Sequence, residues 1–188
     1  LGNLGNIYCS RGDTEQGQAY YRDALTLARQ LGDEWRIIEH KLNLGIEADI
    51  AGQLQEAVAI YEEVLIRVEK LGGLAQRVRT HMLLGIVYIK LGDYPEAERC
   101  LKECLSLARN DNLRAHLISA LPSLADLYLR QGQHAHAESL LVEAEKLAQD
   151  TGARLAEVLP EIYRNWALLR LEQGDLAAAL TSIDNSLK

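Results

Sequence analysis

The chain has 188 residues, of which 48% are hydrophobic and 25% charged, the balance of an ordinary globular protein. Its formal net charge of −7 argues against general binding to nucleic acid or to an anionic membrane surface, since both need a basic face. The longest apolar run, MLLGIVYI at 82–89, is too short to cross a bilayer, and no signal peptide is visible.

The elements follow from punctuation. Glycines stand at 12, 52, 92, 132 and 174, and a second set at 32, 72 and 152, with Asn112 at the missing position. The spacing is 40 residues throughout, apart from one step of 42. Gly, and after it Asn, tolerates the left-handed conformation that ends many helices. Each 40-residue unit therefore holds two helix stops and reads as a helix–turn–helix pair.

In chain order, a truncated pair comes first, and the chain begins inside it without an initiator Met. It is expected to be a piece of a longer protein. Helices are then predicted at about 34–50 and 54–71, where YEEVLIRVEKLG places apolar residues at 61, 64, 65, 68 and 71. The next are predicted at about 74–91 and 95–109. Pro95 sits in a first turn, where it costs no hydrogen bond. AERCLKECLSLAR repeats the helical spacing at 97, 100, 101, 104, 105 and 108. Helices at about 113–131, 134–149 and 153–173 follow, and a partial pair ends near Lys188. Pro122 and Pro160 fall inside two of these, and the two-residue insertion lies close to Pro160, so a distorted or bulged helix is expected there. With no Phe, the core must come from Leu, Ile, Val, Ala and eight Tyr.

The motif inside each unit resembles the tetratricopeptide repeat (TPR). The first copy reads Leu4, Gly5, Tyr8, Gly12, Asp13, Gly17, Tyr21, Ala24, Leu25. The second reads Leu44, Gly45, Ala48, Gly52, Ala57, Tyr61, Val64, Leu65. The third reads Leu84, Gly85, Tyr88, Gly92, Asp93, Ala97, Leu101, Cys104, Leu105. Leu124, Ala125, Tyr128, Gly132, Ala137, Leu141 and Ala144 form the fourth, and a drifted fifth runs from Trp166 and Ala167 through Gly174 and Ala179 to Leu187. Small residues such as Gly45 and Ala57 let the paired helices approach, while Tyr and Leu fill the seam. The resemblance implies an all-α fold, a right-handed α-solenoid of stacked antiparallel helix pairs. The whole chain is expected to be one array, with repeats at about 1–32, 33–72, 73–112, 113–152 and 153–188, the first and last incomplete. Common TPR units have about 34 residues, so the roughly six extra should lengthen the helices by a turn or more.

No catalytic chemistry stands out. Cys100 and Cys104 share a helix face, but no Cys or His partner lies at a zinc spacing, so they read as small core hydrophobes. The third cysteine, Cys9, makes an odd and sparse set that suits a reducing cytoplasm rather than a disulfide framework. His134 and His136 read as a solvated turn, and His40, His81 and His116 stand alone. Phosphate-loop, hydrolase-elbow, zinc-protease and kinase motifs are absent. Neither an enzyme, a metal site nor a cofactor is expected.

What remains is a groove lined by the first helix of each pair. By the resemblance, its inward positions include Asn6, Cys9, Glu39, Leu42, Asn43, Ile46, Asp49, Ile50, Arg79, Met82, Ile86, Ile89 and Lys90. The middle of this set is apolar and its flanks are charged, which suits a bound protein segment with apolar anchors. Asn6, Asn43 and Arg79 fall where chaperone-binding TPR domains hold a C-terminal carboxylate, but Gly2 and Leu83 replace the two basic residues that such a clamp needs. The asparagines remain able to bond a peptide backbone.

Three uses follow. A protein-interaction scaffold, as in the Pins/LGN type, binds a peptide or partner protein. The stretch ALTLARQLGD (24–33) also resembles the arrays of bacterial STAND-type signalling ATPases and regulators of the MalT kind, in which the array senses a ligand or partner. Self-association through exposed terminal repeats is the third.

Overall fold

The turns show why the chain repeats. Gly12, Gly32, Gly52, Gly72, Gly92, Gly132 and Gly174 all have φ between 66° and 83°, and Asn112 has φ 54°. After each left-handed residue, the next amide donates to a carbonyl five residues back. Examples are Asp13 to Tyr8 (3.0 Å), Gln53 to Ala48 (2.8 Å), Leu113 to Ala108 (2.8 Å) and Gln133 to Tyr128 (2.8 Å). This bond satisfies a carbonyl left open at the helix end and reverses the chain in two or three residues. At three of the turns, the carboxylates of Asp13, Asp33 and Asp175 cap the next helix by accepting from Gln16, Arg36 and Ala178.

The computed structural model describes residues 1–151 and 159–186, the side chain of Thr151 excepted. Among them are ten helices and no strand. They are α1 (Gly2–Ser10), α2 (Thr14–Leu31), α3 (Glu34–Ile50), α4 (Leu54–Leu71), α5 (Leu74–Leu91), α6 (Tyr94–Asn110), α7 (Arg114–Arg130), α8 (His134–Thr151), α9 (Leu159–Glu172) and α10 (Leu176–Ser186). The boundaries expected up to residue 149 are met to within about two residues. Gly152, the first part of the helix expected at 153–173 and the two-residue insertion beside Pro160 lie outside the described residues. Pro160 itself is the second residue of α9 as described.

The chain divides into two compact units, Leu1–Asp93 and Tyr94–Lys188. In the first, each helix from α1 to α5 packs on its neighbour in sequence, and α3 also touches α5. In the second, α6 to α10 pack in the same order, and α7 also touches α9. A helix pair buries one face within itself and the other against the next pair, as in an α-solenoid of TPR type.

Small residues set the spacing inside a pair. A side chain at Gly5 would place its Cβ 2.5 Å from the ring of Tyr21, and one at Gly45 would strike the ring of Tyr61 in the same way. Ala57, Ala97 and Ala137, one period apart, are all fully buried. Around them lie Tyr61, Val64, Val68, Leu101, Leu121, Leu127 and Leu141, each without exposure.

Cys100 and Cys104 also sit in this core on one face of α6. Burial pushes the Cys104 thiol up to about 12. Pro122 lies inside α7, which runs through it without a break. The proline removes the amide that would bond the Ile118 carbonyl. One buried bond crosses here, from the Asn165 side chain of α9 to the Pro122 carbonyl at 2.8 Å.

Candidate functional site

Helical spacing places Trp35, Glu39, Leu42, Ile46 and Asp49 along one stripe of α3, with Gln76, Arg79, Met82, Ile86 and Lys90 along the matching stripe of α5. Side-chain bonds link these stripes to each other and to α1. The Asn43 amide donates to Asn6 Oδ1 (3.4 Å), joining α3 to α1. Lys90 Nζ reaches both carboxylate oxygens of Asp49 (2.6 and 2.7 Å), joining α5 to α3. These bonds bring Asn6, Asn43, Asp49 and Lys90 of the three first helices of this unit together.

At one end of the face is a cleft of about 800 Å³, lined by Asn3, Asp33, Trp35, Arg36, Ile38, Glu39, Leu42, Gln76 and Arg79. Leu42 and Ile38 form its apolar floor, at 2% and 1% exposure. Trp35 stands at the rim, 45% exposed, with its ring against the space beside Gly73. Arg36 is held by Asp33 at 3.2 Å. Glu39 and Arg79 line the same cleft, are exposed, and form no ion pair among the described residues.

The middle of the face holds the asparagines. Tyr21 donates its hydroxyl to Asn6 Oδ1 at 2.6 Å. Burial first, and then Cys9 and Glu47 nearby, push the Tyr21 hydroxyl up to about 12, so it stays a neutral donor. With Oδ1 occupied by Tyr21 and Asn43, Asn6 keeps its Nδ2 and Asn43 its Oδ1 for another partner. A backbone peptide offers the matching acceptor and donor. Beyond them, Ile46, Met82 and Ile86 are half-buried and apolar.

Several of the candidate residues have partners or surroundings that the sequence does not announce. Asp49 and Lys90 face the right way but are committed to each other. Cys9 fills the space beside Gly17 of α2, so it serves the pair rather than the face. Its thiol is raised to about 11, by burial first and then by Glu47. Ile89 is buried, whereas Ile50 is 70% exposed at the end of its helix. His134, read as a solvated turn residue, is tied to Glu172 of α9 at 2.6 Å. Gly2, which stands where a carboxylate clamp needs a basic residue, lies against the buried His40 ring.

The sequence reading missed Asn3, Asp33, Trp35, Arg36, Ile38 and Gln76. For two of them a signal existed. Trp35 extends the Glu39–Leu42–Ile46 stripe by one turn, and Gln76 extends the Arg79–Met82–Ile86 stripe in the same way. Among the described residues, no cluster of three His, Cys, Asp or Glu is placed to hold a metal ion. No helix among them is long and apolar enough to cross a membrane.

Comparison with known proteins gives the fold its context. No curated protein matches the chain. The crystal structure of BtubC (BKLC) from P. vanneervenii is similar at a TM-score of 0.79 and 20% identity, over 98% of this chain and 76% of that one. A putative kinesin light chain of nearly identical TPR-like repeats from Podospora anserina matches at 0.72 and 18% identity, over 99% and 92%. YrrB, described as a TPR protein with an unusual peptide-binding site, matches at 0.55 and 18% identity, over 99% and 82%. At these identities the likeness is one of fold. The family model of the MalT-like TPR region matches residues 1–187, and the chain belongs to that family.

Proposed function

We propose that this chain is a protein-binding repeat array that takes a segment of a peptide or partner protein along the α1/α3/α5 face. The observation that carries this reading is the set of unspent recognition groups on one face. These are the Asn6 Nδ2, the Asn43 Oδ1, Glu39 and Arg79, which form no ion pair among the described residues, and the apolar patch of Ile46, Met82 and Ile86. Amide groups bond a backbone, apolar positions seat anchors, and the two charges set direction. The peptide-binding site named for YrrB supports the reading by analogy of fold. The reading takes the chain as one array with repeats at about 1–32, 33–72, 73–112, 113–152 and 153–188, and assigns it no catalytic step.

The family match favours a second reading. By that likeness, the array is the ligand- or partner-sensing region of a larger STAND-type signalling ATPase or transcriptional regulator in the cytoplasm. The face is then the sensor surface, and its occupant controls chemistry elsewhere in the parent protein.

The test is selection of peptides from a random display library against the whole chain, followed by calorimetry of the best binder. Asn43→Ala should weaken it roughly fivefold, the loss of one or two neutral hydrogen bonds, and Arg79→Glu by about tenfold or more. A binder that ignores both substitutions contradicts the assignment of the face.

A further inference from the structure

A second cavity lies within the unit Tyr94–Lys188. About 440 Å³ in volume, it is bounded by the second helices α6 and α8 and backed by α7. Its apolar walls are Leu105, Leu124, Leu140 and the ring of Tyr128. Its polar rim is Lys102, Ser106, Arg109, Asn110, His136 and Ser139. The lining contains no carboxylate, and the two beside it, Glu98 and Glu143, are bonded to Lys102 and Arg109.

The 40-residue period supplies an internal control. One period earlier, the positions of Lys102, Arg109 and His136 are held by Glu62, Glu69 and Glu96. Lys102 and Arg109 thus carry the opposite sign to the preceding repeat, and the same sign as Arg22 and Arg29 two periods earlier. Helix packing alone does not ask for that change, because these positions lie on the outer surface of the helices in either repeat.

The rim also keeps donors to spare. Arg109 spends one terminal nitrogen on both oxygens of Glu143 (2.9 and 2.8 Å), leaving Nε and the other Nη. Lys102 gives one of its three protons to Glu98 at 2.7 Å. That carboxylate is also held by the Tyr128 hydroxyl at 3.0 Å. The Tyr128 and His136 rings lie tilted with centroids 5.4 Å apart, which forms a short aromatic wall.

We propose that this cavity binds a small aromatic carboxylate. The ring lies on Leu105, Leu124, Leu140 and Tyr128, and the carboxylate accepts from Arg109, with Lys102 and His136 beside it. The volume falls within the range of small-molecule sites, and a guanidinium suits a carboxylate in both geometry and charge. The inference stands apart from the proposed peptide face, shares no residue with it, and is tested separately.

The probe is 1-naphthoate, titrated into the whole chain by calorimetry and compared with the cationic (1-naphthyl)methylammonium. The naphthoate is expected to bind with a Kd of roughly 1 mM or tighter and the cation to show no binding. Arg109→Gln should weaken the naphthoate by about tenfold, and Ser139→Trp, which fills the mouth of the cavity from an exposed position, should abolish binding. Helical circular dichroism checks that both variants fold. Equal binding of the cation, indifference to both substitutions, or no binding of naphthoate overturns the proposal. Binding of a hexaglutamate peptide in place of naphthoate also overturns it, in favour of an acidic protein segment.

Discussion

At Gly45 a single methyl group is enough to disturb the helix pair. The added carbon meets the ring of Tyr61, which is fully buried and has nowhere to move. Gly45→Ala is expected to destabilise by about 1–3 kcal/mol through overpacking, partly offset by about 1 kcal/mol of helix propensity. Gly52→Ala meets no atom but must hold φ at 76°, so it should cost about 1–2 kcal/mol for a different reason. Urea midpoints at unchanged slope measure both. The thiols make a second test at this scale. With Cys104 held near 12 and shielded in the core, a thiol reagent at pH 8 should label it only as fast as the chain unfolds. Rapid labelling of the folded protein would contradict the core position. Both the glycine spacing and the Cys100/Cys104 packing were legible in the sequence, because the glycines recur at a fixed period and Cys104 falls where Ala24, Val64 and Ala144 stand in other repeats. The partner of each small residue was not, because Tyr21 and Tyr61 meet Gly5 and Gly45 only once the pair has closed.

Between α3 and α4 a buried cation shows what periodicity leaves out. Lys41 is 7% exposed, and its Nζ lies 2.5 Å from Glu63. Arg67 joins the same carboxylate at 3.1 Å and Glu34 at 2.9 Å. Removing the counter-charge strands Lys41, so Glu63→Gln should cost about 1–2 kcal/mol, a buried-pair penalty discounted for the half-exposed carboxylate. Lys41→Met should be neutral or stabilising, since it removes the desolvated charge itself. The pH dependence has a definite sign. The Lys41 hydrogen bond, and after it Arg67, hold the Glu63 carboxyl below its ordinary 4.5, against the opposing effect of burial. Its contribution is therefore complete above about pH 4.5 and is lost as pH falls through the lower folded value. Urea midpoints taken from pH 7 to pH 3 should fall less steeply for Glu63→Gln than for the parent chain. Helix ends were legible at this scale because Gly and Asn mark them, and α7 was legible in spite of Pro122. The Asn165 bond to Pro122 joins residues far apart in sequence, and no local pattern announces it.

At the scale of a whole unit, the period dictates stacking and stacking sets first helices side by side, as α3 on α5 and α7 on α9. The stacking was legible in the sequence, and from it came the expectation of a groove with Asn6, Glu39, Asn43, Arg79 and an apolar middle. Which of those groups remain free was not legible. Asp49 and Lys90 look like ligand contacts in sequence and prove to be bound to each other, while Trp35 and Gln76 join the cleft from positions one turn upstream. The basic cavity between α6 and α8 was also hidden, because its members come from three helices and only folding brings them together. Binding along the α1/α3/α5 face, as proposed above, can be followed residue by residue. The most direct measurement is an amide chemical-shift map of the whole chain with a display-selected peptide. Shifts are expected to concentrate at Trp35, Glu39, Asn43, Ile46, Arg79, Met82 and Ile86. Shifts confined to α2, α4 or the second unit would contradict it.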